Sequence, residues 1–247
     1  MNARNFPRWL LLPYAIWAWT VFLLLGLGVL MLIMPVPRQS LRRRLVHLAA
    51  RAALFGCGMP VRLQHAQRLP HTPCVVVANH ASYLDGVVLY AVLPPRFGFV
   101  IKREMSRVPL ANLLLRRIGS HYVDRGSAAA GSRDTRRLFR RAHAGDALAI
   151  FAEGTFEPRP GLAAFRSGAF AIAARSQLPI VPVAIRGTRR ALPGDSFLPC
   201  PARIVVELAP PVAAPASTAD AAVAVTRRAV RQAILARIHE PDLAPES

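Results

Sequence analysis

An uncharged apolar run near the N-terminus places the strongest constraint on this chain. From Trp9 to Met34 the sequence contains no Asp, Glu, Lys or Arg, and as one helix at 1.5 Å per residue the run would be about 39 Å long. That length exceeds the hydrocarbon core of a bilayer, which is roughly 30 Å thick. The run is also too long for the apolar part of a cleaved signal peptide. It therefore predicts an N-terminal helix that meets lipid.

A second, amphipathic segment follows this run. Pro35 and Pro37 break the first helix, and the segment Leu41 to Phe55 then carries leucines near one face and arginines elsewhere, as a helix on anionic lipid does. Because basic residues flank the apolar run on both sides, it either spans the bilayer once, with the rest of the chain in the cytoplasm, or forms a hairpin in one leaflet. We assign residues 1–58 to this membrane-associated helical motif and expect the inner, cytoplasmic membrane.

From residue 59 to residue 247 short apolar strands alternate with helical stretches. This alternation is typical of an α/β domain with a mixed, largely parallel sheet flanked by helices. The predicted strands are Cys74 to Ala78, Gly98 to Lys102, His121 to Val123, Ala147 to Ala152, Ile180 to Ile185 and Arg203 to Leu208. The predicted helices are Tyr83 to Val92, Leu110 to Ile118, Gly131 to His143, Ser167 to Ser176 and Ala219 to Ile238. We expect Pro182 to restrict its strand segment to an edge, a bulge or a strand start.

The charge of the chain limits the classes of partner. Lys and Arg number 32 against 13 Asp and Glu, which gives a net charge of +19, and such a charge attracts nucleic acid, anionic membrane lipids or phosphorylated substrates. Aromatic residues make up only 7% and form no RNA-binding motif, so we expect no nucleic acid. A membrane-tethered polyanion-binding protein stays open as an alternative. Cys57, Cys74 and Cys200 are widely spaced and predict neither a disulfide framework nor a metal site.

The segment Val75 to Gly86 contains the main candidate for chemistry. Its β-branched run ends in a polar cluster with His80 and Asp85, and an imidazole whose tautomer is fixed by a carboxylate is suited to general-base catalysis. A helix that begins near Ser82 would let Asp85 fold back toward His80, with Ser82 as its N-cap. Since no GxSxG motif surrounds Ser82, a hydrolase nucleophile is disfavoured there.

Other polar residues follow predicted strands in the same way. Glu153 and Arg186 come directly after strands, and Arg125 follows a third. Because ligands of α/β sheets bind beyond the carboxyl ends of parallel strands, we expect these side chains and His80 at one common rim.

Four blocks, in order, resemble the glycerolipid acyltransferase family of 1-acyl-sn-glycerol-3-phosphate and lysophospholipid acyltransferases. They are Asn79 to Asp85, Gly119 to Arg125, Phe151 to Thr155 and Ile180 to Ile185. One such block would be weak evidence, whereas four in order are specific. The resemblance implies transfer of a fatty acyl group from acyl-CoA or acyl carrier protein to the free hydroxyl of a lysophospholipid, most directly 1-acyl-glycerol-3-phosphate giving phosphatidate.

The resemblance also implies roles for individual residues. His80 would take the hydroxyl proton and Asp85 would orient His80, with no cofactor beyond the thioester co-substrate. Arg125 would grip the acceptor phosphate in bidentate fashion, and Glu153-Gly154-Thr155 would help to hold the glycerol phosphate. Glu153 could instead pair with a core arginine.

The third block departs from the family's usual Phe-Pro-Glu-Gly-Thr-Arg-Ser. Ala152 replaces the proline, and Phe156 and Glu157 replace the arginine and serine, so a phosphate-binding cation is missing. A cation near a helix N-terminus could compensate. The predicted substitutes are Arg166, Arg159, Arg186 and Lys102. Without such compensation, the acceptor would be another lysolipid, such as a lyso-ornithine lipid.

Overall fold

Strands and helices alternate along the chain as the sequence predicts, in a computed structural model that describes residues 8–124, 128–155 and 159–244. The strands are β1 (Val61–Gln64), β2 (Val75–Ala78), β3 (Phe97–Lys102), β4 (His121–Val123), β5 (Ala147–Phe151), β6 (Ile180–Arg186) and β7 (Ile204–Leu208). The helices are α1 (Arg8–Ile33), α2 (Gln39–Gly56), α3 (Leu84–Val92), α4 (Pro109–Arg117), α5 (Ala128–His143), α6 (Gly168–Ser176), α7 (Thr188–Ala191) and α8 (Asp220–Ile238). Short 3-10 turns cover Ala66–Arg68 and Arg103–Arg107.

The seven strands form one sheet in the order β1-β7-β6-β2-β5-β3-β4. Every adjacent pair is parallel except β6 and β7, which are antiparallel. The prediction of a mixed, largely parallel sheet is confirmed. β2 lies between β6 and β5 and is buried on both faces, as expected of a run of three valines in a parallel sheet.

Helices cover both faces of the sheet. Val76 and Ala78 of β2 pack into a core shared with α2 and α3, whereas Val75 and Val77 point into a second core shared with α5, α6 and α8. The alternation of side chains along a strand divides the apolar residues in this way. With β2 held between two cores, the residue that follows its carboxyl end is rigidly placed.

Pro182 does not lie in an edge strand, one of the three places predicted for it. β6 has β7 on one side and β2 on the other, so an edge position is wrong. The carbonyl of Pro182 accepts the N–H of Ala209, one residue beyond the end of β7. The N–H and C=O groups of one strand residue point to the same side of the strand. The side of Pro182 that lacks an N–H therefore faces Ala209, beyond the end of β7, and no hydrogen bond to β2 is lost.

The two N-terminal helices pack on the domain and on each other. α1 ends at Ile33, before Pro35 and Pro37, and α2 begins at Gln39. Residues 11–33 are long and apolar enough, by length and composition alone, to cross a membrane, with a mean hydropathy of 2.4. Ala18 belongs to the first core, and Ile33 packs with Ile118 near the start of β4. The apolar run is therefore partly buried against protein along its length.

Candidate active site

The segment after β2 is fixed by Asn79. Its side-chain amide donates to the carbonyl of Ile185 (3.0 Å) and its side-chain oxygen accepts the N–H of Ile185 (2.7 Å). This buried pair extends the β2–β6 connection by one step beyond the ladder. His80 is the next residue, so its backbone leaves the sheet at a defined point.

His80 and Asp85 are in contact. Nδ1 of His80 lies 2.9 Å from Oδ2 of Asp85, and the same oxygen accepts the backbone N–H groups of Ala81 (2.6 Å) and Ser82 (2.8 Å). The Asp85 side chain is fully buried and that of His80 is 19% exposed. A carboxylate on Nδ1 holds the proton there and makes Nε2 the basic nitrogen. The pair therefore has the geometry that a general base requires.

The local fold brings Asp85 back as predicted, with a small shift in the cap. α3 begins at Leu84, and Asp85 lies in its first turn, where a negative charge is favoured. Ser82 lies before the N-cap position rather than at it: its Oγ accepts the N–H of Leu84 (3.1 Å) and donates to the carbonyl of Leu192 (2.7 Å). The hydroxyl of Ser82 thus holds the loop.

Phe151 supports the imidazole and was missed from the sequence. The two rings are stacked with centroids 4.2 Å apart and planes 16° apart. Ala78 pairs with Phe151 across β2 and β5, so the residue at the end of β5 must lie beside the residue that follows β2. The sequence does not give the order of strands in the sheet, and this contact follows only from that order.

Glu153 binds backbone rather than a core arginine. Its Oε1 accepts the N–H of His80 (2.6 Å) and its Oε2 accepts the N–H of Ala163 (2.9 Å), and the residue is only 7% exposed. The alternative of an ion pair with a core arginine is therefore not what the structure shows, and the predicted direct contact with a substrate would require these two bonds to break. Burial raises the pKa of Glu153 from 4.5 to about 7, although the two N–H groups favour its charged form.

This pKa predicts a pH dependence of stability. Because the folded state holds the Glu153 proton more tightly than the unfolded state, the contribution of Glu153 to stability falls as pH rises from about 4.5 to about 7. Glu153→Gln is expected to remove this slope, which is at most about 1.4 kcal/mol per pH unit for one proton. Thermal unfolding midpoints of both proteins across that pH range check it. Parallel curves for the two proteins would contradict the assignment.

A cavity of about 680 Å³ opens beside His80. Gly154, Thr155 and Lys102 also line it. Much of its remaining wall is apolar, from α1, α2, α3 and α4, and includes Phe22, Leu25, Val29, Val46, Ala53 and Leu115. Of the eight residues predicted for the site, these three and His80 line one cavity. Asp85 and Glu153 do not line it, but they accept hydrogen bonds from the ring and the backbone N–H of His80, respectively.

Of the predicted phosphate-binding cations Arg125, Lys102 and Arg166, the structure places only Lys102 in this cavity. Arg125 lies outside the described residues, as do Phe156 and Glu157. Lys102 lines the cavity but forms an ion pair with Glu104 (3.3 Å). Arg166 is exposed and is not among the cavity residues.

Arg186 does not join the rim, which corrects its predicted place. Its guanidinium pairs with Glu207 (3.3 Å) on β7 and also bonds the carbonyl of Arg237 at the end of α8. Glu207 in turn pairs with Arg237. Because β7 runs antiparallel to β6, it presents an acidic partner beside Arg186, and the arginine serves to tie α8 to the sheet.

The described part of the chain contains no group of three His, Cys, Asp or Glu side chains arranged to hold a metal ion. Cys57, Cys74 and Cys200 are buried as free thiols.

Known proteins resemble this chain in sequence and in fold. Residues 60–186 match the family model described as Acyltransferase. A Homo sapiens protein named 1-acyl-sn-glycerol-3-phosphate acyltransferase beta is 34% identical over 131 residues, 50% of this chain and 43% of that protein. A Pseudomonas aeruginosa protein named lyso-ornithine lipid O-acyltransferase is 32% identical over 139 residues, 55% of this chain and 51% of that protein. The chain thus spans about half the length of these relatives.

A solved structure shares the fold. The crystal structure of the 1-acyl-sn-glycerophosphate acyltransferase of Thermotoga maritima superimposes with a TM-score of 0.74 and covers 92% of each chain, at 21% sequence identity.

Proposed function

Since the chain belongs to the acyltransferase family, we propose that it moves a fatty acyl group from an acyl thioester to the free hydroxyl of a lysophospholipid. The observation that supports this most directly is the contact between His80 and Asp85 at the polar end of a largely apolar cavity. The base lies at the polar end, where a reacting head group would sit, and the apolar part suits a fatty chain.

The proposed reaction needs no covalent enzyme intermediate. Nε2 of His80 takes the acceptor's hydroxyl proton as that oxygen bonds to the thioester carbonyl carbon, and Asp85 stabilises the imidazolium that forms. The carbon–sulfur bond then breaks, and the imidazolium returns the proton to the departing thiolate. The products are a two-chain lipid and a free thiol, so the donor is acyl-CoA or acyl carrier protein.

The apolar part of the cavity is the proposed place of an acyl chain. Gly26 of α1 lines it, and a Cβ atom added there would meet no atom within 4 Å. Gly26→Phe is expected to project into this space and to shift donor preference toward shorter chains. Gly28→Phe is the matched control, because Gly28 also has open space but does not line the cavity. Competition between short- and long-chain donors measures the shift, and an unchanged preference would contradict the placement.

The acceptor carries either of two head groups. A lysophosphatidate acceptor needs cations for its phosphate, for which Arg125 and Lys102 are the proposed donors. Phe156 and Glu157 replace the usual cationic arginine and its neighbouring serine, and Lys102 is already paired with Glu104. A lyso-ornithine lipid, the acceptor named for the Pseudomonas aeruginosa relative, has no phosphate to bind. This difference makes it the second candidate.

A panel of lysolipid acceptors tests the function. Purified protein receives one labelled acyl thioester with lysophosphatidate, lyso-ornithine lipid or other lysolipids, and the diacylated product identifies the acceptor. Thiol release without any acceptor would indicate a hydrolase. If the protein shows no thiol release and no acyl transfer, the result would support a polyanion-binding protein.

We also propose that α1 lies in one leaflet of the cytoplasmic membrane rather than crossing it. Near its start Tyr14 donates to the carbonyl of Cys57 (2.6 Å), and at its end Ile33 packs on Ile118. These contacts are about 29 Å apart along the helix. Cys57, just after α2, packs in the first core with residues of β2, and Ile118 lies shortly before β4, so both ends of α1 are held against the α/β domain. A perpendicular span would pull that domain into the hydrocarbon.

The outer faces of the helices fit the proposed membrane contact. α1 and α2 expose large apolar residues, and Arg44 and Arg51 of α2 are exposed beside them, where anionic head groups would be. The exposed large apolar residues are Leu12, Ile16, Trp17, Trp19, Leu23, Leu24, Met31 and Leu32 on α1, and Leu41, Leu48 and Phe55 on α2.

A further inference from the structure

A second concave site lies beside the edge strand β4. It is a groove of about 550 Å³ between α4 and α5, and its lining residues include four arginines and no carboxylate. The four are Arg103, Arg116, Arg137 and Arg141. We call it the β4 groove. None of its lining residues belongs to the cavity beside His80.

Two of the four arginines form ion pairs with carboxylates, and the other two pair with no described carboxylate. Arg103 pairs with Asp134 (3.1 Å), and Arg141 pairs with Asp146 (2.7 Å). Within the described parts of the chain, the side chains of Arg116 and Arg137 make no hydrogen bond and no ion pair. They approach the groove from α4 and α5, respectively, and Arg137 is one turn from Arg141. Unpaired guanidinium groups on opposing walls are suited to phosphate, which they can bind in bidentate fashion.

His121 lines the same groove and lacks partners. It is 5% exposed, and neither ring nitrogen has a hydrogen-bond partner among the residues described. Nε2 lies 3.0 Å, and Cδ2 3.3 Å, from the point that a Cβ on Gly98 would occupy. That edge of the ring therefore faces Gly98 in the sheet, and both ring nitrogens are buried in the wall of the groove.

A buried polar group without a partner costs stability and usually marks a missing contact. Burial and the nearby charges of Arg141 and Arg137 lower the pKa of His121 to about 4, so the ring is neutral at pH 7. A neutral imidazole offers hydrogen bonds rather than charge. Asn112 and Ser106 add further neutral hydrogen-bonding groups to the walls.

We propose that the β4 groove binds the phosphate-bearing nucleotide end of an acyl-CoA donor. The inference rests on the proposed function and names the donor for the site at His80. Guanidinium groups would take the phosphates, and the neutral polar groups would take the nucleoside. The volume is in the range of small-molecule sites, which is roughly 300–1,000 Å³.

The position of the groove fits a donor that must reach His80. β4 lies three strands from β2, about 14 Å across the sheet, and His121 is level with Val77, about 10 Å before His80 along the strand direction. The groove and the imidazole are therefore roughly 17 Å apart. The 3-10 turn Arg103–Arg107 separates the two sites: Arg103 and Ser106 line the groove, and Glu104 and Met105 line the cavity. An extended phosphopantetheine arm is of similar length. A nucleotide in the groove can therefore present its thioester beside the imidazole.

Truncated donors give the sharpest test. In the double variant Arg116→Ala/Arg137→Ala, the KM for acyl-CoA is expected to rise about tenfold, since two charge-assisted contacts are lost at exposed positions. The KM for acyl-pantetheine, which lacks phosphates and nucleoside, should stay unchanged, as should that for the acceptor. Arg136→Ala is the matched control, because Arg136 is exposed on the same helix and does not line the groove. A rise for both donors, or for the acceptor alone, would overturn the proposal.

His121→Leu gives an independent readout. Replacing an unpaired buried imidazole by an apolar side chain of similar size should raise the unfolding midpoint and at the same time weaken CoA binding. Lower stability with unchanged CoA binding would show that His121 only supports the fold and would count against the proposal.

Direct binding separates this inference from the proposed function. Calorimetry of the detergent-solubilised full chain with CoA needs no turnover, so it tests the groove even if no acceptor is acylated. The arginine double variant is expected to bind CoA about tenfold more weakly than the wild type. Wild-type affinity in that variant, together with weaker binding to anionic vesicles, would identify the groove as a membrane contact and refute the proposal.

Discussion

A His80→Ala variant is expected to transfer acyl groups about 10²- to 10⁴-fold more slowly than the wild type, the usual contribution of a general base. The imidazole lies in the cavity, bonds Asp85 at 2.9 Å and rests on Phe151. Its removal takes away the proton acceptor and leaves the other residues that line the cavity. Acceptor-dependent thiol release from acyl-CoA measures the loss.

Folding and membrane binding should survive this change. His80 is 19% exposed and lies beyond the end of β2, outside both cores. Unfolding midpoints and vesicle co-sedimentation check that the variant is intact. His71→Ala is a suitable control, because that imidazole is exposed in a loop and lines neither described cavity. Near-normal turnover in a folded His80→Ala protein would falsify the proposed role.

Asp85→Asn is expected to have the second large effect, on both turnover and stability. The neutral amide cannot stabilise an imidazolium, so kcat should fall by about 10²- to 10⁴-fold. Oδ2 of Asp85 also accepts two backbone N–H groups inside the protein. The amide oxygen of Asn can take this place, but the amide NH2 then occupies the buried position of Oδ1, which has no hydrogen-bond partner among the described residues, at a cost of about 1–3 kcal/mol.

The two effects of Asp85→Asn can be separated. Turnover at a temperature well below the unfolding midpoint reports on the chemistry, and the midpoint itself reports on the cost of the buried amide NH2 group. A rise in acceptor KM with unchanged kcat would show that Asp85 helps to hold substrate instead of orienting His80.

Local sequence was sufficient for the elements nearest to the candidate site. The three valines of β2 predict a strand buried on both faces, and the five-residue separation of His80 and Asp85 permits their contact once α3 begins between them. Both features depend on neighbours close in the chain. The six predicted strands and five predicted helices therefore recur with ends shifted by only a few residues.

Contacts between distant residues could not be predicted in this way. Glu153 accepts the N–H groups of His80 and Ala163. Arg186 forms an ion pair with Glu207 because β7 runs antiparallel to β6 beside it. Neither partner follows from residues adjacent in sequence. β1, which was not predicted, has only four residues and an exposed Arg62, a pattern too short to distinguish from a loop.

The attachment of α1 along the domain affects how substrates would arrive. Phe22, Leu25 and Val29 of this helix form part of the cavity wall, so a lipid already in the leaflet could slide sideways into the cavity without passing through water. Encounters would then occur in two dimensions. Turnover in vesicles should accordingly follow the mole fraction of acceptor in the surface and show dilution by inert lipid, even when the total acceptor in the tube is held constant.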